Sequence, residues 1–138
     1  MAAVKTVYRS EHDSIGERSV PKDVYYGVQS LRAAENFHIT GLTMHPEIIN
    51  SIAEIKKASA ITNYEIGLLD KRVADAIVRA CDEIAAGKLH EAFIVDPIQG
   101  GAGTSLNMNA NEVIANRAIE LLGGEKGDYA LVNPNDHV

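Results

Sequence analysis

The residues best suited to chemistry lie in one stretch, from Gln99 to Val113, which reads QGGAGTSLNMNANEV. Its glycines, at 100, 101 and 103, allow the backbone to approach a ligand closely and to adopt positive φ angles. Two hydroxyls follow at Thr104 and Ser105, and asparagines stand at 107, 109 and 111 before helical apolar spacing begins. The pattern predicts a flexible loop leading into a helix, whose first N–H groups and positive dipole end suit an anion such as a carboxylate.

The spacing in this stretch does not match the common phosphate-binding motifs. No lysine follows the last glycine, as a P-loop requires, and Leu106 stands where a dinucleotide-binding fingerprint has its third glycine. On spacing alone, two interpretations are equally good. One is an anion-binding loop, and the other is a glycine loop with an ordinary Ser, Thr or Asn helix cap.

Three segments of the chain resemble the aspartase/fumarase superfamily. Residues Gly100–Asn116 are similar, without a gap, to its first active-site segment. Residues Val20–Phe37 (VPKDVYYGVQSLRAAENF) resemble a segment of aspartate ammonia-lyases, and Asn133–Val138 (NPNDHV) resembles the segment that leads into the second active-site motif. The resemblance covers nearly the whole chain. It implies a mainly α fold, the N-terminal helical domain of the superfamily, with little or no β structure.

Three details favour aspartate ammonia-lyases over class II fumarases. The glycine loop has Ala102 where fumarases have serine, Tyr25-Tyr26-Gly27 stands where fumarases usually have Trp-Gly, and Asn133 replaces a histidine. The resemblance therefore implies reversible deamination of L-aspartate to fumarate and ammonia, by anti elimination through an aci-carboxylate intermediate. A class II fumarase fragment, or a non-catalytic interaction module derived from the superfamily, are the alternatives.

The resemblance also assigns roles to residues. It implies that Thr104 contacts the substrate, with Ser105, Asn107 and Asn109 as further substrate-binding residues. The family's catalytic base is a serine on a mobile Gly-Ser-Ser loop that has no counterpart up to Val138, so no catalytic residue is expected within this sequence. No cofactor and no metal are expected.

Arg32, Asn135 and Asp136 are candidates for secondary anion contacts. An arginine on a short helix can hold a carboxylate bidentately. It can equally form a structural pair with an acidic neighbour, and for Arg32 the structural interpretation is slightly favoured.

Composition limits the class of protein. A length of 138 residues with 46% apolar and 23% charged residues predicts one globular domain. A net charge of −6 argues against nucleic acid as a partner, and no apolar run reaches the length of a membrane span. One cysteine, Cys81, excludes an internal disulfide, fits the cytoplasm and is expected to be a packed thiol.

The resemblance places residues 1–138 as a single N-terminal domain of a longer lyase. The central helical bundle and the C-terminal domain, which carry most of the family's site, have no counterpart here. The fragment alone is therefore expected to be inactive, whereas the full-length family enzymes act as homotetramers on L-aspartate and fumarate.

Apolar spacing and caps predict four helices, over residues 27–36, 46–66, 70–86 and 108–122. The second helix is expected to bury a face made of Ile48, Ile49, Ile52, Ile55, Ala58 and either Ile61 or Thr62. A strand-like run is predicted at residues 93–96, and residues 1–18 are expected to form a solvated arm with a short strand or none. His12 and Asp13 in this arm match no metal-ligand spacing.

Overall fold

A computed structural model describes residues 6–138 as a helical domain with one β-hairpin at its start. This confirms the prediction of a mainly α fold with little β structure. The elements are β1 (Tyr8–Asp13), β2 (Gly16–Pro21), α1 (Val28–Asn36), α2 (Pro46–Glu65), α3 (Lys71–Ala85), a 3-10 turn (His90–Ala92) and α4 (Thr104–Leu121). The first three helices begin and end within one residue of the predicted bounds, whereas α4 begins four residues earlier than predicted.

Helices α2 and α3 form an antiparallel pair, and local capping signals define where they begin. Pro46 occupies the first turn of α2, and the ring of His45 accepts a hydrogen bond from the N–H of Glu47. The carboxylate of Asp70 accepts from the N–H of Arg72 at 2.9 Å, which caps α3 as its sequence predicts.

The buried face of α2 differs from the predicted one. Ile49, Ala53 and Ala60 are buried, whereas Ile48, Ile55 and Ile61 are 48%, 63% and 40% exposed. Apolar residues occur nearly all round this helix, so their spacing did not define one face. The helix packs on α3, and two of its three buried residues are alanines, whereas most of its isoleucines stay partly or largely exposed.

Helix α4 lies at the centre of the domain and contacts α1, α2 and α3. Every residue from Asn109 to Asn116 is buried. A helix buried on all sides is normally apolar all round, yet α4 buries four polar side chains in this stretch. These are Asn109, Asn111, Glu112 and Asn116.

Two buried glutamates accept hydrogen bonds from the backbone N–H groups at the start of α1. The Glu112 carboxylate accepts from the N–H groups of Gly27, Gln29 and Ser30 at 2.9–3.0 Å, and also from the Ser30 hydroxyl. The Glu11 carboxylate accepts from the N–H of Val28 at 2.9 Å. The helix has no side-chain cap of its own, so these two carboxylates supply the acceptors and the negative charge that a helix N-terminus requires.

The hairpin is part of this network, so the predicted solvated arm is wrong for residues 6–18; residues 1–5 lie outside the described part of the chain. Glu11 is only 4% exposed and pairs with Arg9 at 2.7 Å. The guanidinium of Arg9 also donates to the carbonyls of Val24 and Tyr26. The hydroxyl of Tyr129 donates to Glu11 at 3.0 Å, which joins the hairpin to the last part of the chain.

The run at residues 93–96 is also not the strand that its composition predicts. Phe93 and Val95 are buried, but no neighbouring strand pairs with them. The N–H groups of Ile94 and Val95 donate instead to the side-chain oxygen of Asn109, at 2.9 and 3.4 Å. A side chain of α4 therefore replaces the partner strand in satisfying this buried backbone.

Cys81 lies buried on α3, as predicted. Burial raises the pKa of its thiol to about 12, so it is protonated at neutral pH and serves as a small packed side chain. Among residues 6–138, no helix combines the length and the apolar character needed to cross a membrane.

The glutamate network makes Gly27 the most restrictive glycine of the fold. A Cβ on Gly27 would lie 2.5 Å from the Tyr129 hydroxyl and 2.7 Å from both Glu11 and Glu112 oxygens. We expect Gly27→Ala to lower the free energy of unfolding by about 1–3 kcal/mol, measured by urea unfolding. Gly101→Ala is the control, because its Cβ meets no atom within 4 Å, and equal destabilisation by both changes would contradict this role.

Candidate functional site

The glycine loop ends at Gly103, which is the N-cap of α4 and has a φ of +72°. This left-handed conformation favours glycine, and glycine brings no side chain that could cap the helix. The cap comes from Gln99 instead. Its side-chain oxygen accepts from the N–H of Leu106 at 2.6 Å, and its amide donates to the carbonyl of Asp96 at 3.0 Å.

Four hydrogen-bond donors at the start of α4 are left without a partner among residues 6–138. They are the backbone N–H groups and the hydroxyls of Thr104 and Ser105. Thr104 is exposed and Ser105 is half-buried. By contrast, the Thr62 hydroxyl on α2 donates to the carbonyl of Ala58, one turn back. The start of α4 thus presents free donors at the positive end of a helix, an arrangement suited to a carboxylate.

The asparagines that follow have different environments. Asn107 is half-buried, and its side chain makes no hydrogen bond within the described residues. Asn109 is fully buried, and its amide donates to the carbonyl of Ala92 at 2.9 Å while its oxygen accepts from residues 94 and 95. Both ends of this amide therefore bind backbone, and its predicted contact with substrate stays a prediction.

Asn111 is the third asparagine of the series. It is 4% exposed, and its side-chain oxygen has no hydrogen-bond partner in the part of the chain that the structure describes. Its amide group faces only the sulfur of Met108, at 3.8 Å. Sequence reasoning assigned Asn111 no role.

The three candidate anion contacts are not gathered with Thr104 in one cleft. Arg32 pairs with Asp13 at 2.8 Å and donates to the carbonyl of Gly16 at 2.9 Å, which is the structural pairing that the sequence slightly favoured. Arg32 and Asn135 line one cleft of about 540 Å³ between the hairpin, α1 and residues 133–135. Asp136 is exposed and does not line this cleft, and Thr104 does not line it either.

Sequence reasoning missed Asp96, which anchors the chain just before the loop. Its carboxylate accepts from the N–H groups of Ile39, Thr40, Gly41 and Ile98 at 2.7–3.2 Å. Burial raises the pKa of this carboxyl, but the backbone donors outweigh burial and bring the pKa to about 2. An aspartate just before a proline is a turn signal, and the Asp96–Ile98 contact is the corresponding Asx turn.

Asn116 and Glu112 belong to the same motif as the loop but serve the fold. Asn116 is fully buried, donates to the carbonyl of Tyr25 at 2.8 Å and accepts from the N–H of Gly127 at 2.7 Å. Burial raises the pKa of Glu112 above its ordinary value, although the hydrogen-bond donors at the start of α1 lower the pKa in part. Apart from their place in the segment Gly100–Asn116, the sequence signal for both residues was a polar side chain inside an otherwise buried helix.

Chemically, the loop and the start of α4 can bind and orient a carboxylate and donate hydrogen bonds to it. Hydroxyls and N–H groups of this kind stabilise developing negative charge, but removing a proton from carbon requires a base as well. Within residues 6–138, no three His, Cys, Asp or Glu side chains lie together as metal ligands would.

Comparison with known proteins gives the family. A family model described as "Lyase" matches residues 16–138. The chain belongs to this lyase family. The match confirms the resemblance that the glycine loop and the segments around it indicate.

Among individual relatives, the chain is 60% identical over 135 residues to an aspartate ammonia-lyase of a Bacillus species, covering 98% of this chain and 29% of that protein. It is 51% identical over 133 residues to the aspartate ammonia-lyase of Escherichia coli, covering 94% of this chain and 28% of that protein. It is also 54% identical over 131 residues to a class II fumarate hydratase of Halobacterium salinarum, covering 95% of this chain and 28% of that protein. The chain thus spans less than a third of the length of these lyases.

Solved structures of the family show the same fold. A fumarate lyase:delta crystallin from Brucella melitensis in native form superposes with a TM-score of 0.93 at 51% identity, covering 95% of this chain and 31% of that chain. A class II fumarase from Schistosoma mansoni superposes with a TM-score of 0.88 at 39% identity, covering 95% of this chain and 28% of that chain.

Asp96 makes the stability of this lyase domain depend on pH. The folded-state pKa of about 2 lies below the ordinary value of 3.8, so the stabilisation is complete above about pH 4 and is lost as the pH falls towards 2. We expect the difference in unfolding free energy between wild type and Asp96→Asn to be constant from about pH 5 to 7 and to shrink below about pH 4. A difference that does not change with pH would contradict this assignment.

The loop from Gln99 to Ser105 is expected to be mobile when the 138 residues are studied alone, as the sequence predicts. The N–H groups of Gly101, Thr104 and Ser105 have no acceptor within residues 6–138, whereas Leu106 donates to Gln99. Hydrogen exchange measured by NMR should therefore be fast at these three amides and slower at Leu106. Protection of Thr104 and Ser105 equal to that of the helix interior would show the prediction to be wrong.

Proposed function

We propose that this chain is the amino-terminal domain of a longer lyase that converts L-aspartate reversibly to fumarate and ammonia. The observation that carries the proposal is the group of free donors on Thr104 and Ser105 at the start of α4. The identity of 60% to an aspartate ammonia-lyase supports this substrate, together with the tyrosines of the Tyr25–Gly27 segment.

The reaction explains why such donors are needed. Elimination of ammonia begins with removal of a proton from C3 of aspartate, which is weakly acidic because it lies next to a carboxylate. The electron pair moves into that carboxylate and gives a dianionic aci-carboxylate, from which ammonia then leaves. Fixed donors stabilise this charge as it develops without the cost of reorganising solvent. We assign this task to Thr104 and Ser105, with Asn107 close behind them.

Other parts of the active site are assigned to the remainder of the lyase. No residue of this chain is proposed as the base, so the isolated 138 residues are expected to be inactive. We also propose that the whole enzyme is a cytoplasmic homotetramer whose active sites combine residues of different subunits. The superfamily resemblance supports the assembly, and the single buried cysteine fits a reducing compartment.

Hydration of fumarate is the second candidate, because a class II fumarate hydratase is 54% identical to this chain. The two reactions share the aci-carboxylate and differ in the leaving group, so the donors on α4 suit both. One experiment separates them: the full-length enzyme is given L-aspartate and L-malate separately, and fumarate formation is followed. Turnover of L-aspartate alone supports the proposal, whereas turnover of L-malate alone identifies a fumarase. Absence of both activities favours a non-catalytic module.

Thr104→Val tests the role of the hydroxyl. Valine keeps the branched shape and removes the donor, so kcat/KM for L-aspartate should fall about a hundredfold or more, which corresponds to about 3 kcal/mol. Thr62→Val is a matched control, because the exposed Thr62 hydroxyl bonds only the carbonyl of Ala58. Steady-state kinetics and thermal melting are measured on both full-length variants. Unchanged kinetics with a lower melting temperature for Thr104→Val would make the threonine a structural residue only.

A further inference from the structure

We propose that Gln99 is a positioning residue for the donors of Thr104 and Ser105, an inference that rests on the proposed function. Its side-chain amide bridges the two ends of the glycine loop, from the carbonyl of Asp96 to the N–H of Leu106. No other side chain within the described residues makes a hydrogen bond that joins the segment before the loop to the first turn of α4.

The loop itself lacks the contacts that would fix its shape. Its one internal backbone hydrogen bond joins the N–H of Gly103 to the carbonyl of Gly100, at 3.0 Å. The Cβ positions of Gly101 and Gly103 meet no atom within 4 Å, and that of Gly100 meets only Phe37, at 3.8 Å. The position of Thr104 must therefore be set from the two ends of the loop rather than by packing along it.

The end before the loop is firmly held, which makes it a useful reference point. The Asp96 carboxylate binds four backbone N–H groups, and Asn109 holds residues 92–95 against α4. The Gln99 side chain donates to the carbonyl of Asp96 and accepts from the N–H of Leu106. It therefore ties Leu106 to a segment whose position is fixed. The first turn of α4 is thereby held in one place relative to the core.

A cap supplied by Gln99 also differs from an ordinary helix cap, because it leaves the first two N–H groups of the helix without a side-chain partner. A Ser, Asn or Asp at the N-cap accepts from the second or third N–H of the helix and covers the helix end with its own side chain. Gln99 takes only the third N–H, from outside the helix, and Gly103 adds no side chain. The N–H groups of Thr104 and Ser105 therefore remain open to a ligand while the turn stays ordered.

The test compares two variants that each remove a helix cap from the full-length enzyme. Gln99→Met keeps the length of the side chain and loses both hydrogen bonds. Asp70→Ala removes the cap of α3, at a distance from the loop. Hydrogen exchange at Leu106, thermal melting, kcat and KM for L-aspartate are measured for both variants.

The inference predicts a fall in kcat for Gln99→Met of about tenfold or more with a smaller change in KM, because misplaced donors lose transition-state stabilisation. Exchange at Leu106 should become faster. Asp70→Ala should lower the melting temperature to a similar degree and leave kcat unchanged. If Gln99→Met loses the protection of Leu106 but keeps its kcat, Gln99 is only a helix cap and the inference is overturned.

Failure of the proposed function is recognised separately, because wild type would then not deaminate L-aspartate. In that case, binding of succinate, an unreactive dicarboxylate, is measured by calorimetry on wild type and Gln99→Met. Weaker binding by the variant supports the positioning role. Equal affinities, or absence of binding by both proteins, overturn it.

Discussion

The fold depends above all on one interaction: two buried glutamates accept hydrogen bonds from the backbone N–H groups at the start of α1. Glu112 comes from the central helix and Glu11 from the hairpin, and together they bind four successive backbone N–H groups. A carboxylate buried at this depth is costly unless its oxygens are satisfied, and a helix start is costly unless its N–H groups are. The hydrogen bonds between them satisfy both the carboxylates and the N–H groups, so neither is buried without a partner. The same bonds join the hairpin, α1 and α4 into one unit.

This arrangement explains how α4 serves two tasks. Its interior side chains face inward and bind backbone: Asn109 holds the segment before the loop, and Asn116 holds Tyr25 and Gly127. At its first residue, Thr104 is exposed and has no hydrogen-bond partner among residues 6–138. A helix that is fixed in the core and whose first turn is held by Gln99 is a preorganised support for a carboxylate, because its free N–H groups then keep one direction.

Local signals account for what could be predicted from the sequence. Pro46 and Asp70 define helix starts through contacts within a few residues, so these bounds were predictable. The start of α4 was not, because its cap comes from Gln99, before the loop. Glu11 and Glu112 are far apart in the chain and carry no local signal of their meeting. The glycine loop carries the sequence signal of the candidate site. For Asp96 the sequence signals only a local turn before Pro97, and the contacts that make it an anchor for residues 39–41 form only when the segments are folded together.

The central claim is that the free donors at the start of α4 receive a substrate carboxylate. A crystal structure of the full-length lyase with bound succinate tests it most directly. The account predicts a succinate carboxylate oxygen at about 2.7–3.2 Å from the backbone nitrogen of Thr104 or Ser105, with the Thr104 hydroxyl donating to the same carboxylate. Succinate bound elsewhere, with the start of α4 facing only solvent, would contradict the account.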